Sequence, residues 1–163
     1  MQNDATKKTK LAPKIALAVG ALLIVISAIF FATSSRYGVF NLLVNNNTLK
    51  VEIATTSQEQ QKGLCCRDTL AENSGMLFVY DTPGLHYYWM KDTRIPLDMY
   101  WLNTQKEIIH IEKNVQPSSY PKSFGPNQPS LYVLETNAGY ADSHGITVGQ
   151  VVQFNLKSKR LSH

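Results

Sequence analysis

Apolar and polar residues alternate along short segments of this chain, and the first two such segments predict a β-hairpin. In 48–54, apolar residues alternate with Lys50 and Glu52, which is the two-residue period of a strand with one buried face. Three asparagines at 45–47 separate this segment from the apolar segment 39–44. Asparagine tolerates the left-handed backbone of tight turns, so we expect the two segments to pair.

Six further segments share a composition that is typical of strands: they are short, rich in β-branched or aromatic residues, and bounded by Gly, Pro or Asn. They are 75–80, 87–90, 99–103, 107–112, 131–135 and 151–156. Together these segments predict a mainly β fold, a compact antiparallel β sandwich or a partly closed barrel with one or two short helices.

A short helix is predicted directly after the second strand. Thr56 with Glu59 can form a capping box at its start. Ser57 with Gln60 has the same spacing, and the sequence leaves both pairs open. The helix should end near Gly63. The proline-rich segment 117–130 is predicted to lack regular structure and to be either a functional lid or a disordered excursion.

The N-terminal region carries one long uncharged apolar segment, residues 15–33, which is long enough to cross a bilayer as a helix. Four lysines precede it and only Arg36 follows closely, which predicts a cytoplasmic N-terminus and an extracytoplasmic remainder. A cleaved signal peptide usually has a shorter apolar region and a better small-x-small site than Ala32-Thr33-Ser34. We therefore expect an uncleaved signal anchor in the cell membrane.

These patterns divide the chain into five regions. They are a cytoplasmic basic tail (1–14), a transmembrane signal anchor (15–33), a juxtamembrane linker with the first strand (34–48), a β domain (49–156) and a basic C-terminal tail (157–163). The formal net charge is +4, but residues 37–156 hold eight basic and eleven acidic residues, a net charge of −3. The excess of basic residues lies before and just after the apolar segment and in the C-terminal tail, so no nucleic-acid partner is predicted.

Four motifs occur in order along the β domain: G-L-x-x-R at 63–67, G-M-L-F at 75–78, W-M-K-D-T-x-I-P-L-D at 89–98 and Y-V-L-E-x-N-A-G at 132–139. On these motifs the chain resembles the bacterial and archaeal family called domain of unknown function 192, from about residue 49 to residue 154. The resemblance implies a small β-rich domain, often exported or membrane-anchored, with no established reaction, cofactor or partner. The family usually has methionine followed by a bulky residue where this chain has Cys65 and Cys66.

Cys65 and Cys66 are the two cysteines of the chain, and they are adjacent. Neighbouring α-carbons are about 3.8 Å apart, which is less than the roughly 4.4–6.8 Å that relaxed disulfides span. The pair also lacks the C-x-x-C spacing of redox and zinc sites. We therefore expect at least one of the two to pack as a small apolar side chain, and we predict neither a metal site nor a cofactor.

Five residues within the motifs are the candidate ligand-binding residues: Arg67, Trp89, Lys91, Asp98 and Glu135. Both faces of the segment around Glu135 are apolar, so its carboxyl should lie near the core and be paired or have a raised pKa. Arg67 offers a carboxylate a bidentate guanidinium. Two interpretations stay open, namely a ligand cleft lined by these residues and a structural ion pair that stabilises a turn.

The functional hypotheses follow from the same five residues. In the first, the domain is a binding or accessory module that recognises an envelope glycan, peptide or partner protein through the surface around Trp89. In the alternative, it is a hydrolase acting on envelope carbohydrate, with Asp98 and Glu135 as the acid pair. The alternative requires both carboxyl groups to face one open cleft.

Overall fold

The computed structural model describes residues 38–156. The predicted cytoplasmic tail (1–14), signal anchor (15–33) and basic C-terminal tail (157–163) lie outside the described residues. The same is true of residues 34–37 of the predicted linker. Between residues 38 and 156, no helix has the length and apolar character needed to cross a membrane.

The described chain is mainly β, with two short helices. Its strands are β1 (Val39–Val44), β2 (Asn47–Ala54), β3 (Ser74–Gly84), β4 (Tyr88–Trp89), β5 (Leu97–Leu102), β6 (Ile108–Val115), β7 (Ser123–Phe124) and β8 (Ser130–Asn137). The helices are α1 (Ser57–Lys62) and α2 (Tyr140–Ser143), and a single 3₁₀ turn spans Pro117–Ser119.

The first two strands and α1 form for local reasons that the sequence contains. Asn45 and Asn46 have φ values of 45° and 64°, which are the left-handed conformations that a two-residue hairpin turn requires. The hairpin prediction is therefore confirmed. Helix α1 begins with the capping box of Thr56 and Glu59, and the backbone N–H of Gly63 closes its last turn. Of the two capping pairs left open, the structure contains this one.

Six strands form one mixed sheet in the order β1-β2-β3-β8-β5-β6. The sheet is mostly antiparallel, but the predicted antiparallel sandwich or partly closed barrel is confirmed only in part, because β2 and β3 are parallel. The connection through α1 returns the chain to the edge of the sheet at which β2 begins, so that β2 and β3 run in the same direction. Residues 38–156 form no closed barrel. The predicted strand 151–156 is also wrong, since this segment makes only isolated bridges to Leu43 and Glu107.

The sheet has a hydrophobic cluster on each face. Face 1 carries Leu77, Tyr100 and Leu134 and is covered by α2 and the segment 146–154. Face 2 carries the alternate residues of the same strands: Phe78, Trp101 and Val133. Because both faces are covered, every residue of the inner strand β5 is buried.

A two-stranded sheet of β4 and β7 lies against face 2. The Tyr88 ring of β4 meets the rings of Phe78 and Trp101 edge-on, with centroids 5.0 and 5.9 Å apart. The segment 117–130, predicted to have no regular structure, contains β7 and the 3₁₀ turn. It therefore forms part of the layer over face 2, and the cleft described next lies beside this layer.

Candidate functional site

A cleft of about 550 Å³ opens on face 2 between α1 and the segment that carries β4. Its lining combines aromatic, polar and charged side chains. The lining residues are Ser57, Gln60, Gln61, Lys62, Gly63, Leu64, Cys65, Phe78, Tyr80, Tyr87, Tyr88, Trp89, Lys91, Asp92, Thr93 and Glu135. Concave sites with apolar walls and a few polar groups are typical of small-ligand binding.

Glu135 is the buried acid of this cleft. It lies on β8, between Met76 of β3 and Met99 of β5, and only 5% of the residue is exposed. Among residues 38–156, no group donates a hydrogen bond to its carboxyl. Burial raises the pKa of Glu135 to about 8, against the opposing effect of the Arg67 charge. The carboxyl is thus protonated in most molecules at neutral pH and reaches the cleft without a hydrogen bond from the described residues.

Two tyrosines form a wall of the cleft near this carboxyl. The hydroxyls of Tyr80 and Tyr88 are 2.8 Å apart and hydrogen-bonded. Burial raises the pKa of Tyr80, and it raises the pKa of Tyr88 well above its ordinary value, with smaller contributions from Tyr80 and Glu135. Tyr80 also stacks on His86, with ring centroids 3.4 Å apart. Both phenols therefore stay neutral at physiological pH.

Arg67 is placed beside the cleft by the loop after α1, and it binds an acid that the sequence did not single out. Its two terminal nitrogens donate to the two carboxylate oxygens of Glu52, at 2.5 and 2.8 Å. Glu52 pairs with Met76, and Met76 pairs with Glu135 on the next strand. The two acids therefore lie in one row on face 2, about 10 Å apart by strand spacing. The alternation of apolar and polar residues in β2 predicted that Glu52 lies on the face away from the apolar residues. It did not predict that Arg67 is its partner.

Trp89 and Lys91 lie at the mouth of the cleft. Trp89 is 56% exposed, and its ring meets that of Tyr120 at a centroid distance of 6.3 Å. Lys91 is exposed and lines the cleft, and it makes no ion pair with an acid in the described part of the chain. These two candidates and Glu135 line the same cleft, with Arg67 next to it.

Asp98, the fifth candidate, lies on the other face of the sheet. The residue is 0% exposed. One carboxylate oxygen accepts a hydrogen bond from the backbone N–H of Asn114 at 2.7 Å, and the other accepts one from the N–H of Ala141 at 2.9 Å. Asp98 therefore ties β6 and α2 to the sheet. The structure does not bring Asp98 and Glu135 together, because their side chains extend from opposite faces.

Cys65 and Cys66 are joined by a disulfide bond. The prediction that at least one of them packs in the core is wrong, since Cys65 is partly exposed and Cys66 is exposed. The chain turns at Cys66, whose φ is 67°, and the Cys66 N–H donates to the carbonyl of Asp92 at 2.9 Å. Leu64, not a cysteine, reaches the core. The disulfide consequently borders the mouth of the cleft.

The comparison with solved structures gives two similar proteins. A protein of unknown function from Novosphingobium aromaticivorans DSM 12444 is 31% identical, with a TM-score of 0.71, over 75% of this chain and 89% of that one. A protein from Sinorhizobium meliloti 1021, described as a candidate transcription regulator, is 30% identical, with a TM-score of 0.68, over 72% of this chain and 94% of that one.

No protein of curated function matches the sequence. The family DUF192, described as an uncharacterized ACR, matches residues 41–154. That match spans the six-stranded sheet except the first two residues of β1, the β4–β7 layer and every residue of the cleft. It confirms the resemblance that the four sequence motifs indicated. The chain therefore belongs to the family of domain of unknown function 192.

Proposed function

We propose that this protein is a membrane-anchored binding module of the cell envelope, and that its cleft on face 2 binds a small envelope ligand. The observation that carries the proposal is Glu135. A buried carboxyl without a hydrogen-bond partner is costly, and here it reaches a cleft that a ligand of modest size can fill. A ligand that satisfies this carboxyl would remove that cost.

The aromatic mouth of the cleft supports binding of a ligand with an apolar side. Tyr87 and Trp89 are both exposed. Aromatic side chains offer a large, rigid contact area at low entropic cost. A sugar ring or a short peptide can stack on such faces while its polar groups reach the lysines and glutamines of the lining.

Hydrolysis of a glycosidic bond is not supported by the same geometry. That chemistry uses two carboxyl groups that flank one bond, roughly 5–9.5 Å apart. Asp98 is absent from the cleft, and both of its oxygens accept hydrogen bonds from backbone N–H groups. The predicted acid pair therefore lacks one member, and we retain binding as the proposed function.

Nucleic-acid binding is not part of the proposal either. The description of the Sinorhizobium protein applies to that protein. In this chain, residues 37–156 carry a net charge of −3, whereas nucleic-acid binding domains usually present a basic surface.

The proposed location rests on the apolar segment 15–33 and the lysines before it. Alkaline phosphatase fused after residue 163 should be active, since this reporter folds only outside the cytoplasm. A cytoplasmic reporter such as β-galactosidase at the same site should be inactive. The opposite pair of results would contradict the proposed topology. Immunoblotting should show the mass of the full chain, and not that of a product beginning near Ser35.

Ligand binding can be tested with tryptophan fluorescence, because Trp89 and Trp101 are the two tryptophans of the chain. Full-length protein in detergent would be titrated with peptidoglycan fragments, envelope oligosaccharides and phospholipid headgroups. At least one class should change the emission and raise the melting temperature. Trp89→Ala should abolish the emission change and weaken binding, whereas Val148→Ala, at an exposed site outside the cleft, should change neither.

If no class of envelope fragment changes the emission or the melting temperature of the wild-type protein, the binding proposal fails. It also fails if Trp89→Ala and Val148→Ala respond to a bound fragment in the same way as wild type.

A further inference from the structure

The inner end of the cleft encloses an acid among aromatic rings. Glu135 is held beside Phe78, Tyr80 and Tyr88, all of which line the same space. The Phe78 and Tyr88 rings meet edge-on, and the Tyr80 and Tyr88 hydroxyls bond to each other. One phenol donates to the other, and no donor of the described residues reaches the carboxyl, which is left to be satisfied from within the cleft.

These aromatic side chains favour a cationic group over a neutral or anionic one. The face of an aromatic ring carries negative potential, so it attracts a cation and offers nothing to an anion. A cation that enters the cleft would also stabilise the ionised form of Glu135, which burial otherwise disfavours. A neutral hydroxyl would gain one hydrogen bond from the carboxyl but little from the rings. Ammonium groups are therefore favoured over neutral groups at this position.

The mouth of the cleft has the opposite preference. Lys62 and Lys91 are in its lining, with Asp92 as the single acid beside them. This balance favours an anionic group at the outer end of the ligand. The cleft therefore has an acidic group at its inner end, which ionises when a cation binds, and basic groups at its mouth.

We propose that the cleft binds a zwitterionic ligand whose ammonium group is enclosed by Phe78, Tyr80 and Tyr88 and paired with Glu135, and whose anionic group faces Lys91. This inference rests on the proposed function, since it assigns a chemical class to the ligand of the same cleft. Zwitterionic headgroups and amino acids share the required chemistry.

Matched probes can separate the two charges of the ligand. Isothermal titration of the full-length protein would compare phosphocholine with 3,3-dimethylbutyl phosphate, which has the same shape but no cation, and with choline, which lacks the phosphate. A second series would compare 6-aminohexanoate with hexanoate. We expect at least one zwitterion to bind about tenfold tighter than its partner without the cation, as one enclosed cation–π contact and ion pair predict.

Two variants assign the preference to residues. Glu135→Gln should reduce the preference for the zwitterion over its cation-free partner to the part that the aromatic rings contribute. Lys91→Gln should instead remove the preference for phosphocholine over choline. If neither zwitterion binds more tightly than its cation-free partner, or if Glu135→Gln retains the whole preference, the inference is overturned.

Proton release provides an independent readout. When the ammonium binds, Glu135 loses its proton to the solvent, so the measured heat should depend on the buffer. Affinity should rise by up to about tenfold per pH unit between pH 6.5 and 8 and level off above that. The charged or titratable groups around Glu135 are Glu52, Lys62, Arg67, Tyr80, Tyr88, Lys91 and Asp92. Glu135→Gln should remove this pH dependence, although the other charged and titratable groups are unchanged in that variant.

The outcomes also separate this inference from the proposed function. If envelope oligosaccharides or peptides change the emission of Trp89 and the zwitterions do not, the cleft is a binding site but not for an ammonium ligand. If neither class of probe binds, both the inference and the proposed function fail.

Discussion

At the scale of single residues, two buried acids on neighbouring strands have different roles. Glu135 on β8 and Asp98 on β5 are both almost fully buried. Asp98 accepts two backbone hydrogen bonds, whereas Glu135 accepts none from the described chain. A buried acid with backbone donors is typical of structural support. A buried acid without donors, at the edge of a cleft, is typical of a functional site.

Asp98→Asn should destabilise the fold. The amide retains the shape of the carboxylate but replaces one acceptor oxygen by an N–H donor, which then faces the backbone N–H of Asn114 or Ala141. We expect a loss of about 1–3 kcal/mol in the free energy of unfolding, measured by urea denaturation. Glu112→Gln on β6 is the control, since that partly exposed acid makes a surface contact with His110 worth at most about 1 kcal/mol. Equal effects would argue against a structural role for Asp98.

Glu135 should make stability depend on pH. Its pKa is about 8 in the folded protein and near 4.5 when unfolded, so between these values the folded state binds the extra proton. The resulting stabilisation is complete below about pH 4.5 and is lost as pH rises through 8, by about 1.4 kcal/mol per unit. Urea unfolding from pH 5 to 9 should show this loss in wild type relative to Glu135→Gln. A constant difference between the two proteins would refute the raised pKa.

At the scale of elements, sequence patterns that act over a few residues predicted the hairpin and the first helix correctly. Left-handed Asn45 and Asn46 close the hairpin, and the capping box starts α1. The sequence could not choose between Thr56 and Ser57 as the cap, because both are followed three residues later by Glu or Gln. The choice depends on where β2 ends and the chain turns towards β3.

Two single substitutions test which residue caps α1. Thr56→Ala removes the acceptor for the Glu59 N–H, which is 3.2 Å from the Thr56 hydroxyl oxygen, and should cost about 1 kcal/mol. Ser57→Ala lies one residue further, inside the helix, and should change stability by less than about 0.5 kcal/mol. Urea denaturation at one pH measures both. The reverse order would assign the cap to Ser57.

At the scale of the whole molecule, the covering of the two faces determines what is buried. The segment 146–154 closes face 1 without forming a strand, because it makes only isolated bridges, to Leu43 of β1 and to Glu107 just before β6. Its apolar residues nevertheless enter the core. The β4–β7 layer and α1 cover face 2 incompletely, and the gap between them is the cleft.

The neighbouring residues Val151 and Val152 test how the last segment packs. Val152 is 0% exposed and Val151 is 52% exposed. Val152→Ala should therefore cost about 2 kcal/mol in the free energy of unfolding, while Val151→Ala should change it by less than about 0.5 kcal/mol. Thermal and urea denaturation both measure the difference. Equal costs would mean that the segment is not seated on face 1 in this register.

The sequence by itself determined the family, the β-rich composition, the hairpin, α1 and the burial of Glu135, because each depends on neighbouring residues or on the alternation within one strand. Only the tertiary structure decided which acids share a face. Strand pairing placed Glu52 and Glu135 in one row, paired Arg67 with Glu52, and turned Asp98 away, and none of these relations is encoded in local spacing. The exposed disulfide has the same origin, since the position of Cys65 and Cys66 depends on the loop that carries Asp92.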